Sequence, residues 1–171
     1  DPDSKIPDFV ARYNVNGDWG QVSAAGLLRK VDQGGIDKTA AAFSLSGKLN
    51  AIGKDDIRFQ LTLGESGRYV GTTLATDIVI DPVTGETKVE ETTAWYVGYR
   101  RVWNDEYRST VFYANGETDI LGHDRSLYAI NLIRQYTPKM TIGVEFGKYV
   151  VDDGGLDLDS SYLQTSVKFT L

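Results

Sequence analysis

In nine segments of this chain apolar residues recur at every second position, a period that suits strands and excludes helices. In the clearest, about 39–52, Ala41, Phe43, Leu45, Gly47, Leu49 and Ala51 alternate with Ser44, Ser46, Lys48 and Asn50. A helix would scatter these residues around its axis, whereas a strand gathers each set on one face. The same alternation predicts strands at about 7–15, 19–30, 57–63, 89–103, 106–115, 126–136, 140–151 and 161–171. The chain is therefore read as all-β, with antiparallel neighbours, and as one domain across 1–171.

The connections sort into two kinds. Four are tight and built from turn-forming residues: Asn16-Gly17-Asp18, Gly53-Lys54-Asp55, Asn104-Asp105 and Thr137-Pro138-Lys139. Four are longer and more polar: Val31 to Lys38, Gly67 to Lys88, Gly116 to Asp124 and Asp152 to Ser160. Short and long alternate strictly, as they do in outer-membrane barrels with short periplasmic turns and longer extracellular loops. No run approaches the roughly 20 apolar residues of a membrane-spanning helix. A barrel needs none, because only alternate residues of each strand face lipid. The expected architecture is a set of transmembrane β-barrel strands, with Leu171 on the periplasmic side. Asp1 to Pro7 reads as an exposed lead-in with no signal peptide.

Aromatic placement points the same way. Tyr13, Trp19, Trp103, Tyr107, Tyr136 and Phe169 lie near the short-turn ends, and Tyr69, Tyr113, Tyr128, Tyr149 and Tyr162 toward the long-loop ends. Amphipathic rings gather in such girdles at membrane interfaces. The competing reading is a soluble sheet with cross-strand aromatic pairs.

Charge and composition remove other classes. The formal net charge of −6 argues against nucleic acid, whose phosphates need a basic surface. The absence of cysteine removes thiol nucleophiles, disulfides and thiolate metal sites. Carboxylates crowd the connections, as at Asp152, Asp153, Asp157 and Asp159, while many Arg and Lys sit inside the strand segments.

Several stretches resemble the C-terminal half of DcaP-like porins: PDFVARYNVNGDWGQVSAAGLLRKV (7–31), GRYVG (67–71), GYRRVWNDEYRSTVFYANG (98–116) and YTPKMTIGVEFG (136–147). The final YLQTSVKFTL also resembles the C-terminal signal of outer-membrane proteins, with Leu171 where an aromatic residue is usual and Phe169 in that role. The resemblance implies an outer-membrane location in a Gram-negative bacterium and a homotrimer of sixteen-stranded barrels embedded in lipid and lipopolysaccharide. It also implies passive passage of small anionic solutes, dicarboxylates among them, with no cofactor. Nine strands fall short of sixteen, so seven N-terminal barrel strands are expected outside this chain. If the segment before the second strand is not a barrel strand, eight remain that could close alone.

In a pore the inward polar face sets selectivity, and rings of Arg or Lys favour anions. By parity Arg12, Lys48, Arg58, Arg100 and Arg108 share that face. The alternative is that they solvate a wet lumen or pair with Glu145. Arg68, in GRYVG beside the longest loop, is the candidate for a constriction if that loop folds inward; an ordinary extracellular loop is the other reading. Arg29, Lys30, Arg134 and Lys148 lie near strand ends, where long cations snorkel to headgroups.

No enzymatic constellation is evident. His123 stands near Asp119, Asp124 and Ser126, yet no nucleophile elbow accompanies it. DDGGLDLDSS (152–161) offers carboxylates to hard cations but lacks the EF-hand spacing. A small structural or adhesive barrel with partner-binding loops is the competing function. It would pack its interior, whereas a pore keeps it wet.

Overall fold

The computed structural model describes residues 6–33, 36–71 and 76–170, so Leu171 and the first five residues of the lead-in lie outside it. Nine strands form one antiparallel sheet in chain order: β1 (Phe9–Gly17), β2 (Gly20–Gln33), β3 (Ile36–Asn50), β4 (Asp56–Gly64), β7 (Thr92–Val102), β8 (Tyr107–Thr118), β9 (Asp124–Thr137), β10 (Met140–Asp152) and β11 (Asp157–Phe169). The connection between β4 and β7 carries a 3-10 turn (Gly67–Val70) and a separate hairpin, β5 (Ile78–Ile80) with β6 (Thr87–Val89). Neither was visible as a period, because three-residue strands are too short to show one.

Local chemistry explains the tight turns. The Asn104 side chain accepts from the backbone N–H groups of Glu106 and Tyr107, both at 2.9 Å, closing the reversal between β7 and β8. Gly53 supplies the positive φ of 65° that the reversal after β3 requires.

At the other end the strands run further than alternation predicts. β2 and β3 stay paired as far as Gln33 opposite Ile36, so the loop expected over 31–38 is largely hairpin. The Lys30–Asp37 ion pair at 2.6 Å ties it across. Likewise, the other two connections shrink to 119–123 and 153–156. The strict alternation of short and long connections is therefore not kept, and 65–91 is the one long connection. The physical reason is that a polar hairpin satisfies its own backbone groups, so pairing continues where hydrophobic alternation has ended.

Register carries each face unbroken from strand to strand. Leu45 lies opposite Ala24 and Leu61, Leu61 opposite Trp95, and Val111 opposite Tyr99 and Ile130. This apolar face is open: Phe9, Ile130, Phe146 and Leu163 are all more than half exposed. The buried hydrophobic cluster is small, with Val31, Ala40 and Val89 packed against Ile78 of the β5–β6 hairpin at the long-connection end. A water-soluble sheet puts its apolar side against a second layer. Here the apolar side has no covering layer among the described residues, an arrangement that fits a lipid-facing wall.

Asp55, in the turn before β4, ties that end together. It accepts from the Tyr99 hydroxyl, from the Val102 backbone N–H at 2.8 Å and from Arg101 Nη1 at 2.8 Å. The Tyr99 bond foremost, then the amide and Arg101, hold its carboxyl below the usual carboxylate range.

A carboxyl depressed in the folded state contributes stability above its ordinary value of about 3.9 and loses it as pH falls through the lowered value. Midpoints of urea unfolding, followed by gel mobility, should therefore drop as pH falls from about 4 toward that lowered value, and less steeply in Asp55→Asn. The same acid slope in both proteins would contradict this. Register also makes a sharper claim. A charge near the bilayer midplane on the lipid side costs about 2 to 4 kcal/mol, so Leu45→Arg should impair folding into lipid while Ser46→Arg is tolerated. Equal loss in the two variants would refute the face assignment.

Candidate functional site

The polar face of the sheet is the candidate site. Register sets Lys48 opposite Arg58, Arg100 opposite Asp56 and Thr110, and Arg108 opposite Val102 and Ile133, all toward the short-turn end. Arg12 lies farther along the same face, opposite Ala25. The five cations singled out by parity thus share one wall.

What parity missed is the carboxylate among them. Asp56 is 1% exposed. It accepts from Arg58 Nε at 2.9 Å and from Arg100, and lies 3.9 Å from Lys48 Nζ. Glu145, the expected partner, accepts instead from the Tyr162 hydroxyl at 2.9 Å and the Asn131 amide at 3.1 Å. Three of the five cations are therefore shared with Asp56, while among the described residues Arg12 and Arg108 make no ion pair. Arg12 is fixed by neutral partners: its Nε donates to Asn14 and its Nη2 to Ser23, each at 2.9 Å, and Ser23 donates on to Asn14 at 2.6 Å.

Summed over the nine strands, this face bears Arg12, Arg29, Lys38, Lys48, Arg58, Arg100, Arg108, Arg125 and Lys168 against two carboxylates, Asp56 and Glu145. Acid collects on the opposite face at the long-connection end, where Glu117, Asp124, Asp152 and Asp157 stand in one cross-strand row. A recess of about 350 Å3 on the polar face is lined by Arg12, Gln21, Ser23, Lys48, Arg58 and Tyr96. A second, of about 340 Å3, lies toward the long-connection end between Tyr69, Tyr96, Leu127, Arg125 and Tyr149. Tyr96 and Gln60 line both, so the two adjoin.

Tyr69 comes from the 3-10 turn, which is folded onto this face. Its hydroxyl donates to Asp8, just before β1, at 2.7 Å, and Arg68 Nη2 stands 4.0 Å from the same carboxylate. The turn thus reaches from the end of β4 across β3 and β2 to the start of β1. Arg68 and its segment are not splayed outward, and Tyr69 is the side chain that enters the recess. The rest of the connection is anchored by Glu90, fully buried, whose carboxylate accepts from the Ile120 and Leu121 N–H groups at 2.7 and 3.2 Å.

Six aromatics lie toward the short-turn end. Tyr13, Trp19, Trp103, Tyr136 and Phe169 are exposed and Tyr107 is half-buried. Arg134 stands over Tyr107 at 5.3 Å and Tyr136 at 5.4 Å, and Arg101 over Trp103 at 5.4 Å, each a cation on a ring face. The upper set needs correction. Tyr113 and Tyr128 are stacked on the apolar face with centroids 6.5 Å apart. Tyr149 and Tyr162 instead take the polar face, opposite Leu127 and Gly147, and Tyr69 lies in the recess. Arg29 is also corrected. It is 4% exposed on the polar face and paired with Asp77, not snorkelling to headgroups.

At the mouth Arg125 donates with both Nη atoms to Asp153, at 2.8 Å from Nη2, and His123 Nε2 lies 4.0 Å away. The Arg125 bonds hold the Asp153 carboxyl below the usual carboxylate range. Ser126 bonds Tyr113 and Asn115 on the other face, so it is not placed as a partner of His123. Among the described residues no group of three or more acidic or histidine ligands converges on a metal-sized site.

No protein-family model matches the chain, and no curated protein matches it. Among solved structures, the crystal structure of the outer membrane channel DcaP of Acinetobacter baumannii matches with a TM-score of 0.86 at 15% sequence identity, covering 97% of this chain and 52% of that chain. The chain spans about half the length of that channel. At this identity the likeness is one of fold: a stretch of antiparallel barrel wall.

Proposed function

We propose that this chain is part of the wall of a DcaP-like porin in the outer membrane of a Gram-negative bacterium. The pore admits small anionic solutes, dicarboxylates among them, by passive diffusion without chemistry or a cofactor. The observation that carries this reading is the partition of charge: in a chain with 24 acidic and 18 basic residues, the strands set nine cations against two carboxylates on the polar face, and the face stays net positive even with Asp77 on Arg29 and Asp153 on Arg125. A unit charge 4 Å from a guanidinium near a protein surface gains about 4 kcal/mol. Loop carboxylates beyond a Debye length of about 8 Å are largely screened. Local sign therefore decides what enters.

Asp56 has a defined place in this account. It offsets the mutual repulsion of Lys48, Arg58 and Arg100 while leaving the group net positive. Arg12 and Arg108, free of carboxylates, are the side chains left to attract a passing anion. The recess beside Arg12 favours a wet channel over a small adhesive barrel with a packed interior.

Closure follows from strand direction. In nine sequential antiparallel strands β1 and β11 run the same way, so joining them directly, or joining two copies end to end, would make parallel seams. An odd number of further strands keeps every seam antiparallel, and seven would complete sixteen. The resemblance extends this to a homotrimer in lipid and lipopolysaccharide.

Reversal potentials in asymmetric salt test the charge account in the complete barrel. The wild type should prefer anions. Arg12→Ala with Arg108→Ala should lower that preference roughly fivefold, equivalent to about 1 kcal/mol, and Asp56→Asn should raise it. Cation preference in the wild type, or an unchanged double variant, would remove these residues from selectivity. Closure has its own test: the purified 171-residue chain should give no stable ohmic current in planar bilayers, because two open edges cannot satisfy their backbone groups in hydrocarbon. Steady channels from this chain alone would overturn the requirement for further strands.

A further inference from the structure

Arg29 stands apart from the other cations of the polar face. Arg12, Lys48 and Arg58 are open to solvent, whereas the Arg29 side chain is 3% exposed and faces Asp77, 16% exposed, across the foot of the long connection. Its Nη1 also points to the Ser66 carbonyl oxygen at 3.4 Å. Ser66 immediately precedes the 3-10 turn, and Asp77 immediately precedes β5. One guanidinium on the β2 wall therefore meets Ser66, at the start of the turn that carries Tyr69, and Asp77, at the start of β5.

Gly67 fits this junction on two counts. Its φ is +50°, in the region that favours glycine. A β-carbon there would also collide with the Asp77 carboxylate and the Arg29 guanidinium. The Ser66 hydroxyl meets that of Thr92, which donates to the Gly64 carbonyl at 3.0 Å, so the turn is tied to β7 as well. On the far side Tyr69 and Arg68 reach Asp8.

We propose that the Arg29–Asp77 pair is a latch that sets the aperture of the pore: by clamping the Ser66–Gly67 junction to the β2 wall it keeps Tyr69 over the recess, and Arg29 acts as a positioning residue, not as a binding site for the solute. This rests on the channel reading above. The pair is buried, so losing one partner leaves the other charge unmatched, and the ratio of latched to released turn falls by well over a factor of ten. An exposed pair would have little such leverage. Without Arg29 the turn keeps the Ser66–Thr92 contact and the exposed bond of Tyr69 to Asp8; an exposed bond holds weakly, so Tyr69 leaves the wall and the passage widens.

Single-channel recording of the complete barrel in planar bilayers tests the latch, with folding checked by heat-modifiable gel mobility. Tyr69→Ala should raise the open-channel conductance by removing the ring. Arg29→Ala, Asp77→Asn and Gly67→Ala should each raise it toward the Tyr69→Ala level and add brief excursions to the wild-type level. Arg29→Lys, which keeps the charge pair, should restore the steady lower level. Arg29→Ala placed on Tyr69→Ala should add nothing further, because the side chain it positions is gone. Wild-type conductance in folded Arg29→Ala and Asp77→Asn barrels, or additive increases in the double variant, would overturn the latch. A wild-type barrel that does not conduct would instead overturn the channel reading, so the two failures are distinguishable.

Discussion

The backbone hydrogen-bond ladder is the constraint on which the rest of this structure depends. In hydrocarbon no water pairs with a stray amide or carbonyl, so each strand must be satisfied by its neighbours. A one-residue slip would turn every side chain to the wrong face. Among the described residues the ladder from β3 through β8 runs without a shift, and β9 meets β10 with one irregularity, between Met140 and Thr141. That shift sits beside the Thr137-Pro138-Lys139 turn, at the rim, where it adjusts the end of the pair without inverting the faces along its body. Parity on β1 is thus still meaningful on β11.

Given that ladder, placing charge becomes a question of which parity a residue occupies. The acidic row Glu117, Asp124, Asp152 and Asp157 puts like charges directly opposite one another, which costs stability within a sheet. It is found where the strands have left the apolar band and water screens it. The Lys48, Arg58 and Arg100 group lies toward the short-turn end of the other face, and there the repulsion is relieved by a carboxylate at its centre. The same electrostatic cost thus has two solutions, screening at the rim and an internal counter-ion in the wall.

Most of the architecture was legible because alternation is local. Leu45 and Lys48 declare their faces within one segment, and Asn104-Asp105 declares its turn. Legibility failed where the deciding contact is remote or the segment too short. Nothing near Arg29 announces Asp77, and nothing near Arg58 says that the Asp-Asp pair of a turn will send Asp55 to Tyr99 and Asp56 to Arg100. The β5–β6 hairpin did leave a trace in Asp81-Pro82 and Gly85, since Asp81 accepts from Val83 and Thr84 N–H groups as a turn residue should. Tyr149 and Tyr162 were misplaced although the information was present: their parity is that of Glu145 and Gln164, and only their height along the strand suggests a girdle.

The division of labour between strands and the long connection follows from stiffness. Charges that attract a solute at contact distance must hold their positions to a fraction of an ångström, and residues on strands braced by second partners do so. Arg12, fixed by Asn14 and Ser23, is braced in this way. An aperture need only be occupied or vacant, and it can be supplied by a segment that crosses the face and is pinned at its ends. Such a segment would fray if its anchors were exposed pairs worth a few tenths of a kcal/mol to about 1 kcal/mol each. The burial of Arg29 and Glu90 at its two feet therefore belongs to the same logic as the solvent exposure of Lys48 and Arg58. On the proposed reading, cations that meet a solute stay open on the wall, and groups that hold the chain are withdrawn from water.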